Sequence, residues 1–333
     1  MAKEETRPAY DPAGHDSALR ATLQELRTGR WMSMRGLLLD TKEWWQWTQR
    51  TQVLATAAAG TDVVRAWLSE EPHSVPAAVM HARVTVERTL RAHREDHHRT
   101  HELWQEAWRA CETVARSAPQ DPVPWVCLLA LAQLDRDQRW SEHRWGPPEP
   151  MLPPGPWGLL AEADKRDPYN REAHHRMLQF LYGRGASGRL AEASGYAHWA
   201  SDSAPPGSAL HVLPLYVRVE RYRRSGGRDA ALDLHWVAED ATREARQAFH
   251  SWLELTPPDE RSLLDLNHLA HALWGALHFP EAARVFDALG PYWTPVPWSY
   301  RTLDPGDRTQ AVEIFLQART RSRSAADDLR PRP

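Results

Sequence analysis

Residues 170–208 read NREAHHRMLQFLYGRGASGRLAEASGYAHWASDSAPPGS, and this stretch predicts two antiparallel helices. The first helix is expected over about 172–182, because apolar residues recur there at helical spacing, namely Met177, Leu178 and Leu181. Three glycines then interrupt the pattern before a second helix over about 190–201, which carries a stripe of small residues, Ala193, Ala197 and Ala200. Two helices of this size do not bury their apolar faces without neighbours, so the stretch indicates repeated helical pairs.

The second-helix pattern recurs along the chain as an alanine, two further small or apolar residues and a closing proline. Copies begin at Ala107, Ala193, Ala245 and Ala282, and looser copies begin at Gly60 and Leu160. The alanine suits a place where two helices cross closely, and the proline ends the helix because it lacks an N–H and clashes with the preceding turn. A long first helix is also expected over about 75–94, with Val79, Arg83, Val86 and Leu90 at helical spacing. The sequence therefore predicts an all-α chain.

These helical pairs resemble the tetratricopeptide repeat (TPR) family. The best copy of the family pattern is Leu266, Leu269, Ala270 and Leu273 in a first helix, followed by Ala282, Phe286 and Leu289 in a second. The resemblance covers most of 60–295. It implies an α-solenoid of stacked antiparallel helical pairs, forming one TPR-like superhelix over 15–321 that ends in a C-terminal capping helix. The flanking residues 1–14 and 322–333 are expected to be flexible.

In this family the first helices line a concave groove that binds extended peptides or partner segments. Carried over by register, the groove positions are His175, Gln179, Tyr182, Asn267, His271 and Trp274. Side-chain amides pair with peptide backbone groups, and aromatic rings supply rigid contact area. The resemblance therefore implies a non-catalytic adaptor or regulatory protein that binds a partner protein or peptide.

One long irregular segment, at about 136–157, is rich in proline and tryptophan. Its prolines do not continue a helix, and long irregular segments in compact folds are often functional. We expect the segment to dock on a neighbouring helical pair through its tryptophans, Trp140, Trp145 and Trp157. The alternative is that it covers the groove or presents these rings to a partner.

Three histidines, His93, His97 and His101, follow one another at intervals of four residues. Imidazole nitrogens on one helical face could bind zinc or another borderline metal ion. The surrounding residues are densely charged and include no cysteine, which favours a solvated turn between helices over a metal site. We therefore expect no metal, and these histidines are the only candidates.

The sequence has no P-loop, no GxGxxG loop that follows a strand, and no GxSxG, HExxH or CxxC motif, so neither a cofactor nor catalysis is expected. The alternative function is a small-molecule- or metal-binding helical enzyme that uses histidine and carboxylate groups in a closed superhelical pocket.

Charge and composition indicate which classes of partner and which cellular location to expect. The net charge of −3 gives no basic field for nucleic acid. The two cysteines do not form a disulfide framework and are expected to be buried thiols. The absence of a signal peptide and of an apolar span predicts a cytoplasmic protein without membrane contact. Lysine is nearly absent beside many arginines, which indicates a GC-rich bacterial genome, and the seventeen tryptophans leave self-association through aromatic loops as a further possibility.

Overall fold

The computed structural model describes residues 8–135, 139–184, 189–225 and 234–328 of the 333-residue chain. These residues form helices joined by turns, and their β pairing is limited to two isolated bridges. The all-α prediction is therefore confirmed. The chain divides into two compact units, which we call the N-terminal unit (His15–Tyr196) and the C-terminal unit (Met1–Gly14 with Ala197–Pro333).

The described helices fall as follows along the chain. The first nine are α1 (Ser17–Arg27), α2 (Met32–Asp40), α3 (Trp44–Ala58), α4 (Val63–Glu70), α5 (Val75–Arg94), α6 (Thr100–Ser117), α7 (Val123–Ala132), α8 (Trp157–Asp164) and α9 (Arg171–Gly183). The remaining six are α10 (Arg189–Ser203), α11 (Leu213–Arg224), α12 (Glu239–Ala248), α13 (Leu263–Gly275), α14 (Phe279–Leu289) and α15 (Arg308–Asp328).

Helix α5 is the centre of the N-terminal unit, where it packs against α2, α3, α4, α6 and α7. Its start is fixed by Ser74, whose hydroxyl accepts a hydrogen bond from the backbone N–H of Ala77 at 3.4 Å. Its end is fixed by Asp96, which takes a left-handed conformation with φ 50°. The predicted helix over 75–94 is thus confirmed at both ends.

A buried ion pair joins three helices of the same unit. Arg83 on α5 contacts both carboxylate oxygens of Glu172 on α9 at 2.7 Å, and it donates to the carbonyl of Thr48 on α3 at 3.2 Å. Arg176 adds a second contact to Glu172 at 2.9 Å. Burial alone would raise the pKa of Glu172, but the two guanidiniums hold that pKa below its ordinary value. The pair therefore stays charged inside the unit.

The C-terminal unit is built around Trp298, which is fully buried after α14. Its ring lies 6.0 Å from that of Phe286 on α14 and 5.4 Å from that of Phe315 on α15. Helix α14 packs against both α13 and α15. The residues that follow α14 therefore contribute to the core rather than to an open loop.

Parts of both terminal segments that were expected to be flexible make contacts within the C-terminal unit. Residues 322–328 continue α15, where Ser322 is buried and Arg323 pairs with Asp287 at 2.7 Å. Near the other end, the N–H of Ala9 donates to the carbonyl of Pro291 at 2.8 Å, and the Ala9 carbonyl accepts from Trp293 at 3.1 Å. Residues 1–7 and 329–333 lie outside the described residues. Each ordered segment depends on a distant part of the chain, which local composition does not reveal.

Candidate functional site

The three groove positions of the central repeat share one side of α9. Gln179 is exposed and accepts a hydrogen bond from Arg176 at 3.2 Å. The Nε2 of His175 and the hydroxyl of Tyr182, by contrast, are shielded from solvent. His175 and Tyr182 are half-buried, so Gln179 is the one predicted contact residue on α9 that is exposed.

The groove positions on α13 form part of a buried cluster. Asn267 is fully buried, and its carbonyl oxygen accepts from the indole N–H of Trp298 at 2.8 Å. His271 is 1% exposed, and its Nε2 accepts from the Nε of Arg301 at 2.6 Å. The same guanidinium lies 4.8 Å above the ring of Trp274. The segment after α14 thus covers the side of α13 that the repeat register assigned to an open groove.

Burial lowers the pKa of His271 well below its ordinary value, and the guanidinium of Arg301 acts in the same direction, as does His268. The imidazole is therefore neutral and acts as the acceptor for Arg301. This arrangement supports the core, because a protonated ring would face a cation.

The three candidate metal ligands do not share a helical face. His93 belongs to α5, His97 lies in the turn after Asp96, and His101 belongs to α6. The Nε2 of His101 lies 3.0 Å from the side-chain nitrogen of Gln105. Across the described ranges, no group of three or more histidine, cysteine, aspartate or glutamate side chains is arranged to hold a metal ion.

A polar cluster lies at the surface of the C-terminal unit, around Arg218. Its guanidinium contacts the carboxylates of Glu244 and Asp240, the latter at 2.8 Å, and donates to Nε2 of His235 at 3.1 Å. His198 contacts Glu244 at 2.9 Å and is 46% exposed. Burial lowers the pKa of His235, and Arg218 lowers it further. The cluster combines two imidazoles and two carboxylates with access to solvent.

An aromatic platform lies on α6 in the N-terminal unit, formed by Trp104, Trp108 and Trp140. Trp104 and Trp108 are one helical turn apart, with ring centroids 5.1 Å from each other. Trp140 covers both, at 4.7 Å from Trp104 and 5.9 Å from Trp108. Trp104 is anchored by its N–H, which donates to the carbonyl of Leu131 on α7 at 3.2 Å. Trp140 remains 40% exposed.

Asp135 holds the segment that carries Trp140. Its carboxylate accepts from the backbone N–H groups of Arg139 and Trp140, each at 3.0 Å, and lies 2.8 Å from Nδ1 of His143. Burial alone would raise the pKa of Asp135, but these hydrogen bonds keep the pKa below its ordinary value. The carboxylate therefore stays ionised and fixes Trp140 against α6.

A closed proline loop follows, at residues 145–155. Its ends meet where the N–H of Gly155 donates to the carbonyl of Trp145 at 3.3 Å, and its tip is a turn in which Leu152 N–H donates to the Glu149 carbonyl at 3.1 Å. The end of the loop is held to the start of α8, because the indole N–H of Trp157 donates to the carbonyl of Pro153 at 2.8 Å. Met151, at the tip, is 94% exposed.

The three tryptophans of the 136–157 segment all contact helices, but they are buried to different extents. Trp157 is buried, and Trp140 stacks on α6. Trp145 stands over Gly158, where a side chain would collide with its ring, yet it is 58% exposed. Positions 136–138 lie outside the described residues. The platform itself was missed, although the four-residue spacing of Trp104 and Trp108 indicates a paired aromatic face.

Comparison of the chain with models of protein families, with curated proteins and with solved structures gave no match. Within the described part of the chain, no helix combines the length and the apolar character needed to cross a bilayer. Function is therefore inferred from the chain's own side chains.

Proposed function

We propose that the chain is a non-catalytic, cytoplasmic adaptor, built of helical pairs related to the tetratricopeptide repeat, that binds a partner protein or peptide. One observation carries this proposal: Trp140, Trp145 and Met151 are 40%, 58% and 94% exposed on a segment that is otherwise held in place. Tryptophan and methionine are enriched at protein interfaces, and a preordered surface loses less entropy on binding.

The proposed contact surface consists of the aromatic platform and the proline loop. It does not consist of the groove positions that the repeat register predicted. Asn267 and His271 are buried, so a partner does not reach them without unfolding the cluster around Trp298. Tryptophan side chains dominate the binding energy of many interfaces, because they bury a large rigid area at small entropic cost. A partner with an extended apolar segment fits this surface best.

Affinity capture from the native cell lysate tests the proposal. The Trp140→Ala/Trp145→Ala variant removes two exposed rings of this surface. Trp44→Ala is the matched control, because Trp44 is 36% exposed and lies on α3, outside the platform. Far-ultraviolet circular dichroism first shows that each variant retains its helices. We expect a protein retained by the wild type and by the control to be lost by the double variant, and equal retention by all three would refute the proposed surface.

A second candidate function rests on the polar cluster around Arg218. Its two carboxylates and two imidazoles are the groups that acid–base chemistry uses, and His198 and Asp240 are 46% and 52% exposed. A small-molecule site there predicts a ligand that survives gentle purification and is detected by native mass spectrometry. Loss of that ligand in His198→Gln would support the candidate, and an unliganded wild-type mass would contradict it.

A further inference from the structure

We propose that the C-terminal unit binds a small oxyanion, a carboxylate or phosphate group, through buried hydrogen-bond donors on Trp236, His271 and Trp274. We call these three residues, together with Arg301, the donor cluster. They belong to the C-terminal unit, whereas the aromatic platform belongs to the N-terminal unit. The inference therefore goes beyond the adaptor function and is tested independently of it.

Three nitrogens of the cluster are shielded from solvent and have no hydrogen-bond partner among the described residues. They are Nε1 of Trp236, Nδ1 of His271 and Nε1 of Trp274. An indole nitrogen is a donor only. Nδ1 of His271 is also a donor, because Nε2 accepts from Arg301 and the neutral ring therefore carries its proton on Nδ1. Each buried polar group that lacks a partner costs about 1–3 kcal/mol, so three such donors indicate a shared acceptor.

The cluster is arranged around the guanidinium of Arg301. This group lies 2.6 Å from His271 and 4.8 Å above the ring of Trp274. The ring of Trp236 meets that of His271 edge to face, with the centroids 4.8 Å apart. Trp236 and Arg301 also lie beside Gly275, where a Cβ would be 3.0 Å from Trp236 and 3.3 Å from a terminal nitrogen of Arg301. The three donors therefore lie on residues that are packed around one cation.

The chemistry of these groups favours an anion over water. A buried water typically makes about three hydrogen bonds, some of them as a donor. An ionised carboxylate only accepts, and carboxylate and phosphate groups both pair well with a guanidinium. Arg301 and His268 both lower the pKa of His271, which indicates a positive local potential. An oxyanion therefore matches both the donors and the charge.

Burial limits the ligand to a small group. Trp236 and His271 are each 1% exposed, so a protein surface does not reach them. Trp274 and Arg301 are half-buried, so one side of the cluster borders solvent. We therefore expect the ligand to enter beside these two side chains with a single carboxylate or phosphate group.

NMR of the indole N–H groups in the full-length protein, labelled with ¹⁵N at tryptophan, tests the inference. The signals of Trp236 and Trp274 are assigned from their loss in Trp236→Phe and Trp274→Phe. Inorganic phosphate and sodium acetate are titrated separately at about pH 7 and constant ionic strength, with sodium chloride as the reference. We expect both signals to move downfield with at least one of the two anions, because an N–H that donates to an oxygen is deshielded. Half-saturation is expected at or below about 1 mM.

Trp252 is the matched control outside the donor cluster. Its Nε1 is likewise buried and has no partner among the described residues, so its signal should stay in place. A saturable movement with acetate alone would identify a carboxylate ligand, and one with phosphate alone a phosphate ligand. Signals of Trp236 and Trp274 that do not move with either anion, or that move together with that of Trp252, would overturn the inference.

Variants of Arg301 test the contribution of its charge. Arg301→Gln is expected to weaken anion binding at least about tenfold, and Arg301→Lys, which keeps the charge, should bind more tightly than Arg301→Gln. The indole signal of Trp298, whose N–H donates to Asn267 at 2.8 Å, reports whether each variant keeps its core. Equal affinity of the wild type and of a folded Arg301→Gln variant would also overturn the inference.

Discussion

Replacing Glu172 by glutamine removes a negative charge from the centre of the N-terminal unit. The side chains of Arg83 and Glu172 are 3% and 4% exposed, so water does not replace the lost carboxylate. Breaking a buried ion pair by removing one partner costs about 3–5 kcal/mol of the free energy of unfolding. At about 1.4 kcal/mol per factor of ten, the unfolded fraction of the unit rises by at least roughly 100-fold.

Hydrogen exchange measured on peptides from α5 and α9 reports this increase in the unfolded fraction of the N-terminal unit. Exchange that requires unfolding of the unit accelerates by the same factor as the unfolded fraction. The matched control is Glu102→Gln, because Glu102 pairs with Arg99 at the surface, where the two side chains are 68% and 58% exposed. A surface pair contributes less than about 1 kcal/mol, so the control changes exchange little.

Equal exchange in the two variants, with α5 as well protected as in the wild type, would refute the assignment of Arg83 and Glu172 as a structural pair. A second test uses the double variant Arg83→Met/Glu172→Leu. Replacing a buried ion pair by apolar groups of similar size is often neutral. Arg176 loses its contact with Glu172 in both variants, so the double variant, which also removes the unpaired Arg83, is expected to be more stable than Glu172→Gln. A double variant less stable than the single one would contradict the desolvation argument.

Three further predictions concern other parts of the chain. The pKa of His271 is lowered on folding, so its contribution to stability is complete above its ordinary pKa of about 6.5 and is lost as the pH falls toward the folded value. The protection factor of α13, which is the intrinsic exchange rate at each pH divided by the observed rate, should therefore fall between about pH 7 and pH 5, and His271→Gln should flatten that dependence. Leu277 has φ 63°, a left-handed conformation that costs a residue with a side chain about 1–2 kcal/mol. Leu277→Gly should therefore raise the urea midpoint, and the free energy of unfolding should increase by up to about 1 kcal/mol once the entropy cost of glycine is subtracted. An unchanged or lower midpoint would contradict this. Cys111 and Cys127 are buried, and burial raises the pKa of Cys111, so a thiol reagent should modify both only in denaturant.

The helices themselves were predictable because their signals are local. The apolar period of residues 75–94, for example, acts within a few turns of one helix. Arg83 was also placed at helical spacing with the apolar residues of that helix. Its partner Glu172 lies 89 residues away, and helical spacing carries no information about which distant carboxylate meets it.

The site was harder to predict for the same reason. Repeat register gives the face of α13 on which Asn267 and His271 lie, but not what covers that face. The cover is Trp298, which follows 31 residues after Asn267 and is fixed by a side-chain hydrogen bond. The aromatic platform depends on Asp135, whose role as an acceptor for three groups appears only when the segment after α7 folds back onto α6. Both the buried face of α13 and the aromatic platform are therefore defined by tertiary contacts and not by a sequence motif.

We propose above that the exposed rings of the N-terminal unit form an interaction surface. Quantitative mass spectrometry tests this by comparing the proteins that are retained by the wild type, by Trp140→Ala/Trp145→Ala and by Trp44→Ala. Truncating a tryptophan at the centre of an interface costs about 2 kcal/mol or more, which lowers the affinity roughly 30-fold. We predict that a specific protein is depleted at least about tenfold on the double variant and is unchanged on the control. Retention of the same protein by all three would contradict the claim.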